Sequence, residues 1–311
     1  GALPGVAAEW LAVDRLEPHR RSLWALAYRL TADAAEADDV VQETFRRFVE
    51  APPGDLARDI EPWLRRVATN LSVDALRRRR RRGYLGTWLP TPVPTSELLA
   101  AVASERLGPD AQHDALESLS LVMLNALERL GPRERAVVIL RDVLGCPAAE
   151  VATLLGLGEG NVRIIHHRAR KHLAFSPPTR SSPDAVRRAL EGLLAALASG
   201  DLAEVERLLA ADVVLENDAN GRYHAAAKAL RGARRVARFL RDVAELRRPL
   251  GAHLAVESLN GAPSVVAVFE AAADPRVAAE VALGVALDEE GRVAWVWSVL
   301  GPTKLARVLG G

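Results

Sequence analysis

The stretch AAEVATLLGLGEGNVRIIHHRARKHL, residues 148–173, decides how the middle of the chain folds. Ala152, Gly156 and Val162 have the spacing of a helix-turn-helix, in which a small residue lets two helices approach, a glycine makes the turn and an apolar residue anchors the second helix. That second helix carries many basic residues, and a helix of this size fits the major groove of DNA. The stretch predicts a DNA-reading helix. An ordinary helical hairpin with a basic exposed face is the alternative.

Composition limits the class of protein. The chain has 311 residues, of which 49% are hydrophobic and 26% charged, so it predicts two or three folded domains and excludes wholesale disorder. The single Cys146 excludes a disulfide framework and a multi-cysteine zinc site, and we expect no metal site from His113 with Cys146 and no cofactor. No uncharged apolar run reaches about 18 residues and the first residues do not resemble a signal peptide, so we expect a cytoplasmic protein.

Periodicity divides the chain into two helical parts and one mixed part. Apolar residues recur at helical spacing over residues 14–82, and four short helices are predicted over 114–174. Glycine and proline break regular structure over 83–113. The last part, 184–311, predicts two helices, then five strands with one helix among them. The fold class predicted is multidomain: two all-α domains, the second with the helix-turn-helix, and a C-terminal α+β cone with a curved antiparallel sheet. The predicted segments are 1–83, the linker 84–113, 114–176, the linker 177–183, and 184–311.

Two blocks of opposite charge lie in the N-terminal part. An acidic amphipathic helix contains Asp38, Asp39 and Glu43, and a later helix begins near Trp63 and ends in six consecutive arginines, residues 77–82. Three of the 41 basic residues are lysine and the others are arginine. Such blocks indicate one surface for a basic protein partner and another for phosphate, and a helix of the second kind can hold single-stranded or melted DNA.

In this order, the blocks resemble bacterial sigma factors of the extracytoplasmic-function (ECF) group. DDVVQETF, residues 38–45, looks like region 2.2; WLRRVATNLSVDALRRRRRR, residues 63–82, looks like regions 2.3 and 2.4; and residues 130–173 look like region 4. The resemblance covers about residues 14–175. It implies a non-enzymatic alternative sigma factor that binds the β′ clamp helices of core RNA polymerase and directs promoter-specific initiation at −10 and −35 elements.

The resemblance also assigns residues to three surfaces. Core polymerase binding is implied for Asp38, Asp39, Gln42, Glu43, Phe45 and Arg46. Binding of −10 DNA is implied for Trp63, Arg66, Asn70, Asp74, Arg77, Arg78 and Arg80. Asn70 and Asp74 fall where this group holds a flipped base, which needs a preformed polar pocket. Binding of −35 DNA is implied for Asn161, Arg163, Ile164, His167, Arg168, Arg170 and Lys171. Ile164 and Ile165 depart from the group, which often has polar residues there.

The linker resembles the signature of ECF factors with a C-terminal SnoaL-like extension, related to nuclear transport factor two. The signature residues are YLGTWLPTP, residues 84–92, and the extension is 184–311. The resemblance implies a regulatory domain that contacts the sigma domains and makes the free chain compact. Interdomain regulatory roles are implied for Tyr84, Trp88, Leu89, Pro90, Asp218, Arg222 and Lys304. Two family motifs are altered here, to DANGR (218–222) and GPTKL (301–305).

Other functions stay open at this point. One is a one-component helix-turn-helix transcription factor whose cone senses a ligand. Another is a bifunctional enzyme acting through a cone pocket, and its acid–base candidates are Glu216, Asp218, His224 and His253. A small regulatory ligand in the cone is also possible. Trp295 and Trp297 lie two apart on one strand, so they share a face, where they either pack in the core, line a pocket or face the sigma domains.

Overall fold

The computed structural model describes residues 14–50, 59–105, 108–173, 181–270 and 274–310. The chain forms two compact units. The helical unit contains residues up to 82 together with 96–119 and 123–175, and the sheet unit contains 83–95, 120–122 and the chain from 176 onward. The sheet unit thus includes the residues of the YLGTWLPTP signature.

Three helices form the N-terminal part of the helical unit. They are α1 (Arg20–Thr31), α2 (Ala34–Glu50) and α3 (Glu61–Arg82), and a short 3-10 turn, Glu17–His19, precedes them. Ala32 ends α1 in the left-handed conformation, with φ of 55°. Asp33 then starts α2, because its Oδ1 accepts hydrogen bonds from the backbone amides of Ala35 and Glu36. The segment between α2 and α3 contains Pro52, Pro53 and Gly54, which predict the end of a helix, and it lies outside the described residues.

The segment 83–113 differs from its prediction as a region without regular structure. It contains α4 (Thr95–Ala103) and the start of α5 (Pro109–Glu117). The reason lies in the sequence TSELLAAVA, which has neither glycine nor proline and consists largely of good helix formers. The breaks expected from glycine and proline therefore act only outside 95–103.

Four short helices follow α5, although the first of the four predicted over 114–174 is divided between α5 and the next helix. They are α6 (Leu121–Leu127), α7 (Pro132–Val138, extended by a π turn over Ile139–Val143), α8 (Ala148–Leu155) and α9 (Glu159–Leu173). A single apolar cluster joins these helices to the N-terminal ones. Leu26, Leu30 and Val73 belong to it, together with Val137 and Val162. The two predicted helical domains therefore share a core within the helical unit.

The sheet unit has the predicted mixture of helices and strands. Its helices are α10 (Pro183–Ser199), α11 (Leu202–Leu208), α12 (Ala233–Arg247) and α13 (Pro302–Leu309). Its strands are β1 (Leu209–Asp218), β2 (Leu230–Arg231), β3 (Ala252–Leu259), β4 (Ala262–Phe269), β5 (Glu280–Leu287) and β6 (Val293–Leu300). They form one sheet in the order β2-β1-β6-β5-β4-β3. The fold class is confirmed, and the two-residue strand β2 is an addition to the prediction.

The sheet is mixed, which corrects the expectation of an antiparallel sheet. β1 and β6 run parallel, and every other neighbouring pair is antiparallel. Hairpin turns force antiparallel pairing between consecutive strands such as β3 and β4. No hairpin connects β1 to β6, because α12 and four strands lie between them in the chain.

The sheet carries a different core on each face. On one face, Leu190 of α10 and Leu240 of α12 pack on Val265 and Val296. On the other, Trp295 and Trp297 pack with Leu89, which belongs to the signature segment. Both tryptophans are buried and their ring centroids are 6.5 Å apart, so the prediction that they share a face is confirmed, and they pack in a core. Gly284 lies opposite Trp297, and a Cβ there would stand 2.4 Å from the indole.

Candidate functional site

The helix-turn-helix has the geometry that its spacing predicts. Gly156 ends α8 in the left-handed conformation, with φ of 63°, and the amide of Leu157 donates to the carbonyl of Ala152 at 2.9 Å. Val162 is fully buried in the shared core. The turn glycine and the apolar anchor thus fix the direction of α9.

The residues predicted to read −35 DNA lie on the solvent-facing side of α9. All seven are exposed: Asn161, Arg163, Ile164, His167, Arg168, Arg170 and Lys171. Arg163 forms an ion pair with Glu159, and the Nε of Arg170 lies 3.7 Å from an Asp142 carboxylate oxygen. The two isoleucines have different roles, because Ile165 packs against the core and Ile164 is 53% exposed. Ile164 therefore adds an apolar contact to an otherwise polar and basic surface.

The acidic residues predicted to bind polymerase lie on α2. Asp39, Gln42 and Arg46 are exposed, and Asp38, Glu43 and Phe45 are half-buried. Hydrogen bonds from Arg46 and Arg47 lower the pKa of Glu43 to about 2. Glu43 therefore stays ionised at any physiological pH, but its charge is partly neutralised on the helix surface, which leaves Asp39 as the most accessible carboxylate among the predicted residues.

The residues predicted to bind −10 DNA lie along α3. The Trp63 ring packs edge-on against Phe48, with centroids 5.7 Å apart, so part of its surface is used in packing. Four of the other residues are exposed or form surface pairs: Arg77 Nη1 lies 2.7 Å from Asp74 Oδ1, Arg78 Nη2 lies 3.0 Å from Glu36 Oε1, and Arg66 is exposed. These pairs are weak enough for DNA to replace.

Asn70 makes a contact that the sequence did not indicate. Its Nδ2 donates to the carbonyl of Leu154 at 3.1 Å and to the carbonyl of Arg66 at 2.9 Å. Leu154 belongs to α8, the first helix of the helix-turn-helix. The amide that the resemblance assigns to a flipped base is therefore engaged by another part of the same unit.

Glu128 joins the arginine-rich end of α3 to the helices that follow. Its carboxylate pairs with Arg79, 2.6 Å away, and with Arg135, whose side chain is 1% exposed. Burial opposes ionisation of Glu128, but the two guanidiniums outweigh burial and lower its pKa. Burial lowers the pKa of Arg135. Arg80 donates to the carbonyls of Glu128 and Leu130. Two members of the arginine run are thus held internally.

A second buried arginine strengthens the helical unit. Arg29 is fully buried and pairs with Glu105, and its Nε donates to Ser118 Oγ at 2.8 Å. Its own carbonyl accepts from Arg135 at 3.2 Å. Arg29, Glu128 and Arg135 were absent from the predicted site residues, since nothing in their local sequence marks a charged residue for burial.

Cys146 is expected to react slowly with thiol reagents at neutral pH. It is 4% exposed, its Sγ accepts from Arg65 Nη2 at 3.2 Å, and burial raises its pKa. Colorimetric titration with a disulfide reagent checks this, and the chain unfolded in guanidinium serves as the control. A native rate equal to the unfolded rate would contradict the contact between α3 and the segment before α8. Because the chain has one cysteine, the signal has a single source.

In the sheet unit, Asp218 gathers most of the predicted regulatory residues. This carboxylate is 2% exposed and accepts from Tyr84, from the amide of Leu89 at 2.9 Å and from Lys304 Nζ at 2.6 Å. Lys304 also lies 4.0 Å from the centroid of Trp88. The altered motifs DANGR and GPTKL therefore still bring an aspartate and a lysine together on the signature segment.

Two other predicted residues stand outside this network. Pro90 is buried, whereas Arg222 is exposed and its side chain takes no part in the hydrogen bonds of the network. The sequence missed Asn260, which is 2% exposed. The Oδ1 of Asn260 accepts a hydrogen bond from the backbone amide of Val93 at 2.8 Å, and the backbone amide of Asn260 donates to the carbonyl of Val93 at 3.0 Å. The only signal was the dipeptide Asn260-Gly261, which indicates a turn.

The four acid–base candidates do not form a catalytic cluster. Glu216 accepts from Trp295 Nε1 at 2.8 Å, Asp218 is bound as described, and His253 is exposed. His224 lines a cavity and its Nε2 lies 3.0 Å from Asp274 Oδ2, and both side chains are partly exposed. Hydrogen bonds from the Arg276 amide and from His224 lower the pKa of Asp274 to about 2. Among the described residues, the cavity lining contains no carboxylate.

Two kinds of feature are absent from the described residues. No helix there is long and apolar enough to cross a membrane. No group of three or more histidine, cysteine, aspartate or glutamate side chains in the same residues is arranged to hold a metal ion.

Comparisons with known proteins agree with this geometry. Residues 16–82 match the family described as Sigma-70 region 2, and residues 120–173 match Sigma-70, region 4. Both blocks thus belong to RNA polymerase sigma factors of the sigma-70 class. A relative in Mycobacterium tuberculosis, the ECF RNA polymerase sigma factor SigJ, is 35% identical, and the alignment covers 94% of this chain and 93% of SigJ. The chain belongs to the ECF RNA polymerase sigma factors.

Other relatives separate the sigma part from the extension. The M. tuberculosis ECF sigma factor SigL is 36% identical over 55% of this chain and 93% of its own length. The crystal structure of M. tuberculosis SigJ matches 95% of this chain and 98% of its own, with a TM-score of 0.72 and 31% identity. The similarity to SigJ therefore extends through the C-terminal SnoaL-like domain. A one-component repressor or activator leaves the region 2 match unexplained.

Proposed function

We propose that the chain directs promoter-specific initiation by binding core RNA polymerase through α2, −10 DNA through α3 and −35 DNA through α9. The observation that carries the proposal is the placement of the three sets of residues within one sigma-70 framework. The −35 set is exposed on α9, and its anchors Val162 and Ala169 are buried. A basic helix presented in this way fits a DNA groove.

The helical unit further supports an opening step before −10 DNA binds. Asn70 donates to Leu154, and Arg79 and Arg80 are held by Glu128 and by backbone carbonyls. Promoter DNA must replace these contacts to reach the same groups. We infer that core polymerase favours the open arrangement by binding the exposed face of α2, and that the free chain is poor at −10 recognition. The exposed −35 residues need no such step.

The SnoaL-like domain is proposed as a regulatory module without catalytic activity. The support is that Asp218 and Lys304 use their charges to hold the signature segment, and that Asp274, the carboxylate paired with His224, is not part of the cavity lining. A cytoplasmic location follows from the proposed partners, core polymerase and promoter DNA. The sequence-based expectation of contact between this domain and the sigma domains stays a prediction.

In vitro transcription with core RNA polymerase tests the proposal. The full chain is added to templates from a library randomised at −35 and −10, because the promoter is unknown. We expect specific transcripts, and we expect Asp39→Arg to lose most core binding because it reverses the accessible charge of α2. Asp212→Arg, at an exposed position of β1, is the matched control. Absence of core binding by the wild-type chain would end the proposal.

Arg168→Ala is expected to weaken transcription from a selected promoter by roughly tenfold. Loss of one arginine contact in a DNA groove costs about 1–3 kcal/mol, and Arg168 is exposed on α9. Core binding is expected to stay unchanged. Arg187→Ala removes an exposed arginine from α10 and is the control. Equal transcription by the two variants would remove Arg168 from the −35 surface.

A further inference from the structure

A cavity opens in the sheet unit between α12 and the face of the sheet opposite the tryptophans. Its volume is about 150 Å³, comparable with an engineered cavity that holds benzene. Most of its lining is apolar, and the aromatic residues Phe239 and Phe269 contribute to it. A cavity of this size and lining suits the body of a single-ring molecule.

Two polar side chains project into this apolar space from adjacent strands. Asn217 of β1 and Ser298 of β6 are direct neighbours in the parallel pairing, and both line the cavity. They are 5% and 9% exposed. Neither side chain has a hydrogen-bond partner among the described residues. Burying such groups unpaired costs free energy, so their placement favours a ligand that carries a hydrogen-bonding group.

A cation contributes to the lining of the same cavity. Arg247, the last residue of α12, lies over the Phe269 ring at 4.6 Å and donates one hydrogen bond to the carbonyl of Ala278. No carboxylate of the described residues lies within ion-pair distance of it. Burial lowers the pKa of Arg247, but an arginine remains charged at neutral pH. The guanidinium therefore has donors available for an anion.

The placement of these groups limits the ligand. Arg247 and the Asn217–Ser298 pair line the same cavity, so one molecule held there meets both a cation and an uncharged hydrogen-bonding pair. We propose that the cavity binds a small aromatic carboxylic acid, with its carboxylate on Arg247 and a hydroxyl or carbonyl group on Asn217 and Ser298. Ligand occupancy would link the cell's supply of such acids to the regulatory domain.

The test uses the full chain and 4-hydroxybenzoate, with binding measured by isothermal titration calorimetry. We expect binding in the micromolar to millimolar range. Benzoate lacks the hydroxyl and is expected to bind about two- to tenfold more weakly, the value of one net hydrogen bond. Phenol lacks the carboxylate and is expected to lose at least about tenfold, because the charge-assisted contact is the stronger one. No binding of 4-hydroxybenzoate at millimolar concentration, or equal binding of phenol, would overturn the proposal.

Two variants locate the binding site. Arg247→Gln is expected to weaken 4-hydroxybenzoate binding about tenfold or more, and Arg248→Gln, at the adjacent exposed position, is expected to leave it unchanged. Ser298→Ala is nearly isosteric and keeps the fold testable if the first variant is unstable. It is expected to reduce the preference for 4-hydroxybenzoate over benzoate. If the variants kept both the affinity for 4-hydroxybenzoate and the preference for it over benzoate, the ligand would bind elsewhere and the proposed site would be refuted.

Discussion

Glu128→Gln is expected to lower the free energy of unfolding of the helical unit by about 3 kcal/mol. Removing one partner of a buried ion pair typically costs about 3–5 kcal/mol, because the remaining charge stays buried. Here Arg135 would lose its counter-charge while it is 1% exposed. Glu128 and Arg79 retain some access to water, which favours the lower end of the range.

Urea unfolding of the full chain measures this loss, and the reactivity of Cys146 reports it locally. We expect the variant to react faster with the thiol reagent, because the contact of α3 with the helices after it is weakened. Glu50→Gln is the control, since Glu50 pairs with Arg46 on an exposed surface where a pair contributes about 0.3–0.5 kcal/mol. Equal unfolding curves for the two variants would show that the Glu128 network does not stabilise the unit.

The pH dependence of this difference has a defined sign. The pKa of Glu128 is lower in the folded chain than in the unfolded one. The stabilisation that ionised Glu128 gives the fold is therefore fully present above the pKa of an unfolded glutamate, about 4.3. It is lost as the pH falls through the lower pKa of the folded chain. The difference in free energy of unfolding between the wild-type chain and Glu128→Gln is expected to become smaller below about pH 4.

Asp218→Asn is expected to release the signature segment from the sheet unit and to cost about 3–5 kcal/mol. The change keeps the shape of the side chain but removes the counter-charge of Lys304, which is largely buried, and weakens the hydrogen bonds from Tyr84 and from the Leu89 amide. Limited proteolysis near residues 83–95 is expected to become faster. The fluorescence of the unit should shift to the red as Trp88 becomes hydrated.

Asp212→Asn provides a closely matched comparison for this variant. Asp212 lies on the same strand, β1, but is exposed, so its neutralisation is expected to change stability by less than about 0.5 kcal/mol. If the two variants were cleaved at the same rate near residues 83–95, the Asp218 carboxylate would not hold the signature segment. Apolar contacts such as those of Leu89 would then account for its attachment.

Local patterns predicted most elements and the exposed surfaces. The spacing of Ala152, Gly156 and Val162 identifies the helix-turn-helix because a turn, a close approach and an anchor are all properties of neighbouring residues. The run 293–300 predicts β6 at its observed bounds, since apolar residues suited to strands end there at a glycine. The short helix α4 was missed because the prolines around it outweighed its own helix-forming residues.

Contacts between distant parts of the chain were beyond those patterns. Asn70 and Leu154 are 84 positions apart, and Leu89 and Asp218 are 129 apart. Periodicity shows which face of a helix is apolar, but it does not show which other element covers that face. The same limit explains the parallel β1–β6 pair and the cavity residues Asn217 and Ser298, whose meaning depends on the strands standing side by side.

The arginine run bears on how the protein exchanges ions when it meets DNA. An arginine that binds a phosphate normally displaces condensed counterions from the duplex, and each such contact steepens the salt dependence of binding by about 0.9 in the logarithmic slope. Arg79 and Arg80 already hold an internal carboxylate and backbone carbonyls. If DNA phosphates bind these two arginines, the Glu128 carboxylate and the backbone carbonyls lose them as partners. Salt weakens the internal ion pair as well as the ion pair with phosphate. Under the −10 binding proposed above, net ion release per arginine is therefore smaller, and the affinity for DNA is expected to change less with ionic strength.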